Sequence, residues 1–282
     1  MLKILPVEHA FKYDGLSIAA QEWGDPDGLP VLALHGWLDN CGSFAPLAPL
    51  LEGVRLIAID APGHGLSSHR SADGTYNIWQ DVAVIFDVAE QLGLSQFALL
   101  GHSRGAMVCT LIAGTFPERI SHLGLLDSFV PGTVETKQQA EQLASSIYDR
   151  RKRFSRTSKV YPTVEALLAT RLRGVTPLSD LSGPDILARG MEAVEGGYRW
   201  RSDEKLKMDS EIKLTPDLVQ GFVERISCPI LLLLSDSERM SRFYGMEAFA
   251  ADMTVREIIG GHHFHMEEQA SGVAKALSDF FA

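Results

Sequence analysis

The chain has 282 residues, 45% of them hydrophobic, with 26 Lys+Arg against 36 Asp+Glu and a formal net charge of −10. That suffices for one large α/β domain with an insertion, or for two small domains, and the acidic balance weighs against a nucleic-acid or anionic-membrane surface, which wants a basic stripe. Three widely spaced cysteines, Cys41, Cys109 and Cys228, with no CxxC pair, weigh against a disulfide framework or a zinc site and point to a reducing cytoplasm.

The stretch from Met1 to His9 lacks a sustained apolar run, so no signal peptide is expected. No window approaches the ~18 apolar residues of a membrane span. Residues 7–13 and 17–23 read as a hairpin around Asp14-Gly15. Residues 31–34 are a continuous apolar run, as in a strand buried on both faces. A short helix is expected over 44–51 and another buried strand over 54–59. Residues 77–92 have helical spacing, with Ile78, Val82, Ile85, Phe86 and Ala89 on one face. A strand over 97–100, a helix over 106–116 and a strand over 120–126 follow. Such alternation implies a doubly wound, mostly parallel sheet.

The period changes at about residue 131. From there to about 216 the chain is polar and helical, with no strong buried strand. Arg150, Arg151, Lys152, Arg153 and Arg156 form a basic run there, read as a solvated helix face. Strands return over 229–234 and 254–259, and a helix closes the chain over 266–281. Residues 1–130 and 217–282 therefore form an α/β core. Residues 131–216 are expected as a helical cap, or lid, over the edge of the sheet where open α/β folds bind ligands.

Gly101-His102-Ser103-Arg104-Gly105 lies between a strand and a helix. A G-x-S-x-G string in that context is a nucleophile elbow: the serine stands on a strained turn, where a side chain on either flanking glycine would crowd the backbone. A serine hydroxyl needs a base, and the base needs a carboxylate to orient it. The glycine pair Gly260-Gly261 leads into His262-His263-Phe264-His265 after the last strand, and His262 is the favoured base. His263 and His265 are expected to pack the loop. The acid is open between Asp127, at the end of an apolar strand, and Glu238, after the next one, with Asp236 a weaker third. An unpaired carboxylate ending such a strand would be costly. The main-chain N–H groups of Trp37 and Arg104 are the expected oxyanion-hole donors; the Trp37 ring could equally be core. Asp60 to Ser67 is a glycine-rich turn with no G-K-[ST], so it reads as structural rather than as a phosphate loop.

His35-Gly36, Asp60-x-Pro62-Gly63-x-Gly65-x-Ser67, the elbow and Gly261-His262-x-x-His265-Met266-Glu267 together resemble the α/β-hydrolase superfamily, in family order. The strings His35 to Asn40, Leu125-Leu126-Asp127, Arg189-Gly190 and Val194-Glu195-Gly196-Gly197 resemble the serine hydrolase-like proteins within it. Many superfamily members carry Gly-x-x-Asp after the seventh strand, where this chain has Ser235 and Glu238. The closer subfamily keeps Leu-Leu-Asp without a dependable acid there, so the resemblance ranks Asp127 before Glu238. Serine as nucleophile argues against the dehalogenases and epoxide hydrolases, which use aspartate.

The resemblance implies an α/β-hydrolase fold with a helical cap. It implies hydrolysis of a carboxylic ester or thioester of a small or medium acyl group through an acyl-enzyme on Ser103, with no metal or cofactor. Two alternatives stand beside it. One is carbon–carbon bond hydrolysis or cofactor-free oxygen chemistry on the same residues. The other is a non-catalytic ligand-binding protein on a hydrolase shell.

Overall fold

The computed structural model describes residues 5–153, 158–173, 177–180, 182–235 and 253–282. The chain opens with an antiparallel hairpin, β1 (Val7–Tyr13) and β2 (Leu16–Gly24). It continues through β3 (Leu29–Leu34), β4 (Val54–Ile59), helix α1 (Ile78–Gln91), β5 (Phe97–His102), α2 (Arg104–Thr115) and β6 (Ile120–Leu126). After the intervening segment come α6 (Pro216–Val223), β9 (Ile230–Ser235), β10 (Met253–Ile258) and α7 (Ala270–Phe281). Eight strands make one sheet in the order β1-β2-β4-β3-β5-β6-β9-β10, parallel from β4 to β10.

The apolar runs explain why the middle of this sheet is sandwiched. Successive side chains of a strand point to opposite faces, so each run feeds two cores. Leu32, Leu34, Leu99, Leu125 and Leu232 pack with α1, α2 and α6 on one face. Val31, Ala33, Leu100, Leu231 and Leu233 pack with Phe44 and α7 on the other. β10 alternates, with Thr254, Arg256 and Glu257 exposed at the sheet edge, and charges there discourage a further strand from pairing.

Local chemistry alters three expected elements. Residues 44–51 are not one helix but two 3₁₀ turns, Cys41–Phe44 and Ala48–Leu50. Pro46 and Pro49 lack the N–H that a continuous helix needs. The closing helix starts at Ala270, after a separate turn Phe264–Met266. The buried stripe of α1 runs through Asp81, Val84, Ile85, Val88 and Ala89. Phe86 instead stacks on Phe116 at 4.1 Å, and Asp81 turns inward to the Arg104 guanidinium at 2.7 Å.

Between β6 and α6 lie α3 (Gln139–Arg153), α4 (Val164–Leu172), α5 (Gly183–Gly190) and an antiparallel ribbon of β7 (Met191–Val194) with β8 (Gly197–Trp200). The ribbon departs from the all-helical expectation. Its turn depends on glycine: Gly196 has φ +85°, and a Cβ on Gly197 would stand 2.1 Å from the Tyr161 carbonyl oxygen. Only Ser146 of α3 is buried, and Arg150 to Arg153 close that helix at its C-terminal end. Arg156 lies outside the described residues.

A buried ion pair ties this segment to the sheet. Arg189 of α5, 5% exposed, donates to Asp60 at 2.9 and 3.2 Å and to both oxygens of Glu8 at 2.8 and 2.9 Å. Asp60 is fully buried. Breaking one side of such a pair typically costs about 3–5 kcal/mol, because the other charge is stranded. Arg189→Met is therefore expected to lower unfolding stability by about that amount in urea titrations; a midpoint within error of the parent would show that the pair is not what secures α5.

Candidate active site

The elbow forms where β5 meets α2. Ser103 has φ 50° and ψ −116°, a region that non-glycine residues occupy only when the surroundings over-determine it. Here they do. The Ser103 N–H is bonded to the Leu126 carbonyl at 2.9 Å. A Cβ on Gly101 would stand 2.4 Å from Ala106 Cα, and one on Gly105 2.0 Å from the Leu34 carbonyl oxygen. Only glycine at both positions lets the turn close.

Asp127 arrives from the end of the neighbouring strand β6, and His262 from the loop after the edge strand β10. Asp127 follows β6 with φ 52°, and its N–H bonds the Leu233 carbonyl at 2.8 Å. Its side chain is fully buried. Oδ1 accepts from the Ser235 N–H at 3.0 Å and hydroxyl at 2.9 Å. Oδ2 lies 2.6 Å from His262 Nδ1. On its other side His262 Nε2 lies 2.9 Å from Ser103 Oγ. A carboxylate only accepts, so Nδ1 carries the proton and Nε2 is left to accept from the serine hydroxyl. Ser103, His262 and Asp127 are thus one hydrogen-bonded chain at the C-terminal edge of the sheet. Asp236 and Glu238 lie outside the described residues.

The loop after β3 runs beside this chain. His35 Nδ1–H donates to the Gly36 carbonyl at 2.7 Å, and Nε2 accepts from the Ala61 N–H at 3.1 Å. His64 Nε2 accepts from the Leu38 N–H at 3.2 Å. Burial holds both imidazoles below their usual pKa, His64 well below, so they serve as neutral struts. Gly36 is needed because a Cβ would meet Asp39 Oδ2 at 2.8 Å and His102 Nδ1 at 3.0 Å. Among the described residues, neither the Trp37 nor the Arg104 main-chain N–H is taken by a protein acceptor. The Trp37 ring is not core. It is 44% exposed, with Nε1–H donating to the Leu206 carbonyl at 2.9 Å. The Asp60 turn closes on itself: Asp60 accepts from the Cys41 and Leu66 N–H groups at 2.7 and 2.9 Å, and a Cβ on Gly65 would meet its carboxyl at 2.3 Å.

Behind His262 is a buried cluster that the residue pattern did not disclose. His102 Nε2–H donates to the His262 carbonyl at 2.8 Å. His263 Nε2–H donates to Asp39 Oδ2 at 3.3 Å, and Arg171 of α4 donates to Asp39 Oδ1. His265 packs on His102 with ring centroids 4.3 Å apart. Burial pushes His265 down to about 3, with His263 adding to the effect. Burial and the neighbouring imidazoles hold His102 well below the usual range. Burial raises the Asp39 carboxyl, but His263 and Arg171 outweigh it and hold the group well below its ordinary value. Asp39, His102 and His263 place three donor atoms within 4.8 Å of one another. The Arg171 guanidinium already neutralises that carboxylate and would oppose a divalent cation there.

A cleft of about 350 Å³ opens beside the elbow, lined by Trp37, Trp79, Met107, Leu206 and Met208 among others. Its charged wall residues are paired, Arg104 with Asp81 at 2.7 Å and Lys213 with Asp209 at 2.8 Å. No described helix is long and apolar enough to cross a membrane.

The chain is similar in sequence and fold to known proteins. Residues 30–269 match the family model described as alpha/beta hydrolase fold. A serine hydrolase-like protein of Danio rerio is 31% identical over 93% of this chain and 84% of its own. The human serine hydrolase-like protein 2 is 31% identical over 93% and 90%. Among solved structures, a hypothetical protein of Pseudomonas aeruginosa PAO1 is 37% identical, with TM-score 0.90 over 97% of both chains. A thioesterase domain from the curacin biosynthetic pathway is 25% identical, with TM-score 0.83 over 99% of both.

Proposed function

The chain belongs to the α/β-hydrolase fold family, with serine hydrolase-like proteins as relatives, and on that premise we propose that it hydrolyses a carboxylic ester or thioester through an acyl-enzyme on Ser103. The observation that carries this is the unbroken contact from Ser103 Oγ through His262 to Asp127, at 2.9 and 2.6 Å.

Ser103 Oγ attacks the carbonyl carbon while its proton passes to His262 Nε2. Asp127 fixes the tautomer and steadies the imidazolium. The Trp37 and Arg104 N–H groups receive the oxyanion of the tetrahedral intermediate. As that intermediate collapses, the C–O or C–S bond breaks, the leaving group takes the proton from His262, and the acyl group stays on Ser103. A water molecule then gives a proton to His262 and attacks the acyl carbon. Ser103 leaves with that proton and a carboxylic acid is released.

The cleft speaks for the substrate class. Its wall mixes polar residues such as Tyr76, Thr133 and Ser210 with a slight excess of apolar surface, its charges are internally paired, and large side chains such as Trp37 and Trp79 are left partly exposed along it. Such a surface favours an uncharged apolar acyl group. Residues 131–216 supply Pro131, Leu206 and Met208 to that wall and act as the cap that sheds water from it. The likeness to the curacin thioesterase domain favours a thioester as the second substrate form. The free thiols of Cys41, Cys109 and Cys228 support a reducing compartment.

A series of p-nitrophenyl alkanoates tests this reading. We expect kcat/KM to climb with chain length from acetate by up to roughly fourfold per methylene, the factor equal to ~0.8 kcal/mol of burial. The negatively charged hemisuccinate ester is expected to be the poorest substrate. A flat series, or a preference for the charged ester, would remove the cleft from the account.

A further inference from the structure

We infer that the Asp39–Arg171 ion pair is a positioning device for His262, through which the 131–216 segment sets the geometry of the base. The inference rests on the reading of His262 as the base.

Asp39 lies in the loop after β3, three residues beyond Gly36. Arg171 lies on α4, in the segment between β6 and α6. Their side chains are 2% and 12% exposed. Asp39 spends its two oxygens differently. Oδ1 takes the guanidinium. Oδ2 takes the His263 N–H at 3.3 Å and stands 3.9 Å from His102 Nδ1. His263 is the next residue after His262, and His102 holds the His262 carbonyl at 2.8 Å. The peptide of the base is therefore gripped from both sides by groups that face one carboxylate. A base displaced by about 1 Å can lose on the order of 10² in rate, so a grip of this kind affects turnover.

The charges add a signature that packing alone would not produce. The groups around the His262 imidazole are Ser103 and His102 from the end of β5, Asp127 from the end of β6, and His263 and His265 from its own loop. Beyond them lie Asp39 and Arg171. Asp39 faces the rings through Oδ2, and Arg171 offsets its charge from the Oδ1 side. Asp39→Asn removes the carboxylate that faces His263 and His102 and leaves the guanidinium unmatched behind it, which disfavours a proton on these imidazoles. Arg171→Met leaves a carboxylate and favours one. The acid limb of kcat/KM reports the base in the free enzyme, so the two variants must shift it in opposite directions.

The test is kcat and KM for p-nitrophenyl butyrate between about pH 5 and 8, where an imidazole base titrates. Parent, Asp39→Asn, Arg171→Met, Arg171→Lys and His262→Ala are compared, each with a circular dichroism spectrum. Asp39→Asn should move the acid limb to lower pH and Arg171→Met to higher pH. Both should lose up to about 10² in kcat with KM nearly unchanged, and Arg171→Lys should return the parent limb. Limbs that stay put, or shift the same way, overturn the proposal. If Asp39→Asn does not fold, the Arg171 pair decides alone: Met up and Lys restored supports it, and no shift for Met overturns it. A His262→Ala protein as active as the parent would instead overturn the assignment of the base, which separates that failure from this one.

Discussion

Ser103→Ala is expected to lose about 10⁶ in ester turnover, the scale at which a triad nucleophile fails when removed alone. The reason lies in the elbow. No second hydroxyl takes the place of Ser103, because the strained turn at φ 50° aims this one side chain at His262 Nε2. Alanine keeps the Cβ and so the same strained turn, and it leaves Gly101 and Gly105 in place, so the variant should fold about as stably as the parent. The comparison is kcat for p-nitrophenyl butyrate, with thermal melting to confirm the fold. Retention of more than a few percent of turnover would mean that another residue makes the bond.

Asp127→Asn should follow at about 10⁴, the loss seen when a triad histidine is held in the wrong tautomer. The pocket dictates which way the amide turns. Oδ1 already accepts two hydrogen bonds from Ser235, at 3.0 and 2.9 Å. The asparagine oxygen must stay there to avoid stranding a buried N–H, so its NH₂ replaces Oδ2 opposite His262 Nδ1. That nitrogen must then accept. The proton moves to Nε2, and Nε2 can no longer take one from Ser103. Glu238→Gln should turn over within a few-fold of the parent. The reverse ranking of the two variants would hand the acid role to Glu238.

The core was open to sequence reading wherever apolar runs are dictated by burial on both faces. β3, β5 and β9 are such runs, and the glycines bracketing Ser103 announce a turn that only they can make. The meeting of Ser103, His262 and Asp127 at one candidate site was legible for the same reason: each follows the end of a strand, and the sheet brings the ends of β5, β6, β9 and β10 to one edge. Asp39, His102 and Arg171 were not legible. Their partnership joins the loop after β3, the end of β5 and α4, and neither spacing nor periodicity links residues that far apart. The β7–β8 ribbon was missed because its strands are short and only partly buried, so they carry no apolar run. The α1 stripe was displaced by a buried charge: Asp81 faces Arg104 instead of water, and a hydrophobic pattern cannot foresee an ion pair.

A fluorophosphonate label located by peptide mass spectrometry is the most direct test of the central claim. It requires a nucleophilic serine activated by a base, and it needs no knowledge of the substrate. A single adduct on the peptide carrying Ser103, formed by the parent and absent from both Ser103→Ala and His262→Ala, is the result expected. Ester turnover accompanied by an adduct on a different residue, or by none at all, would contradict it.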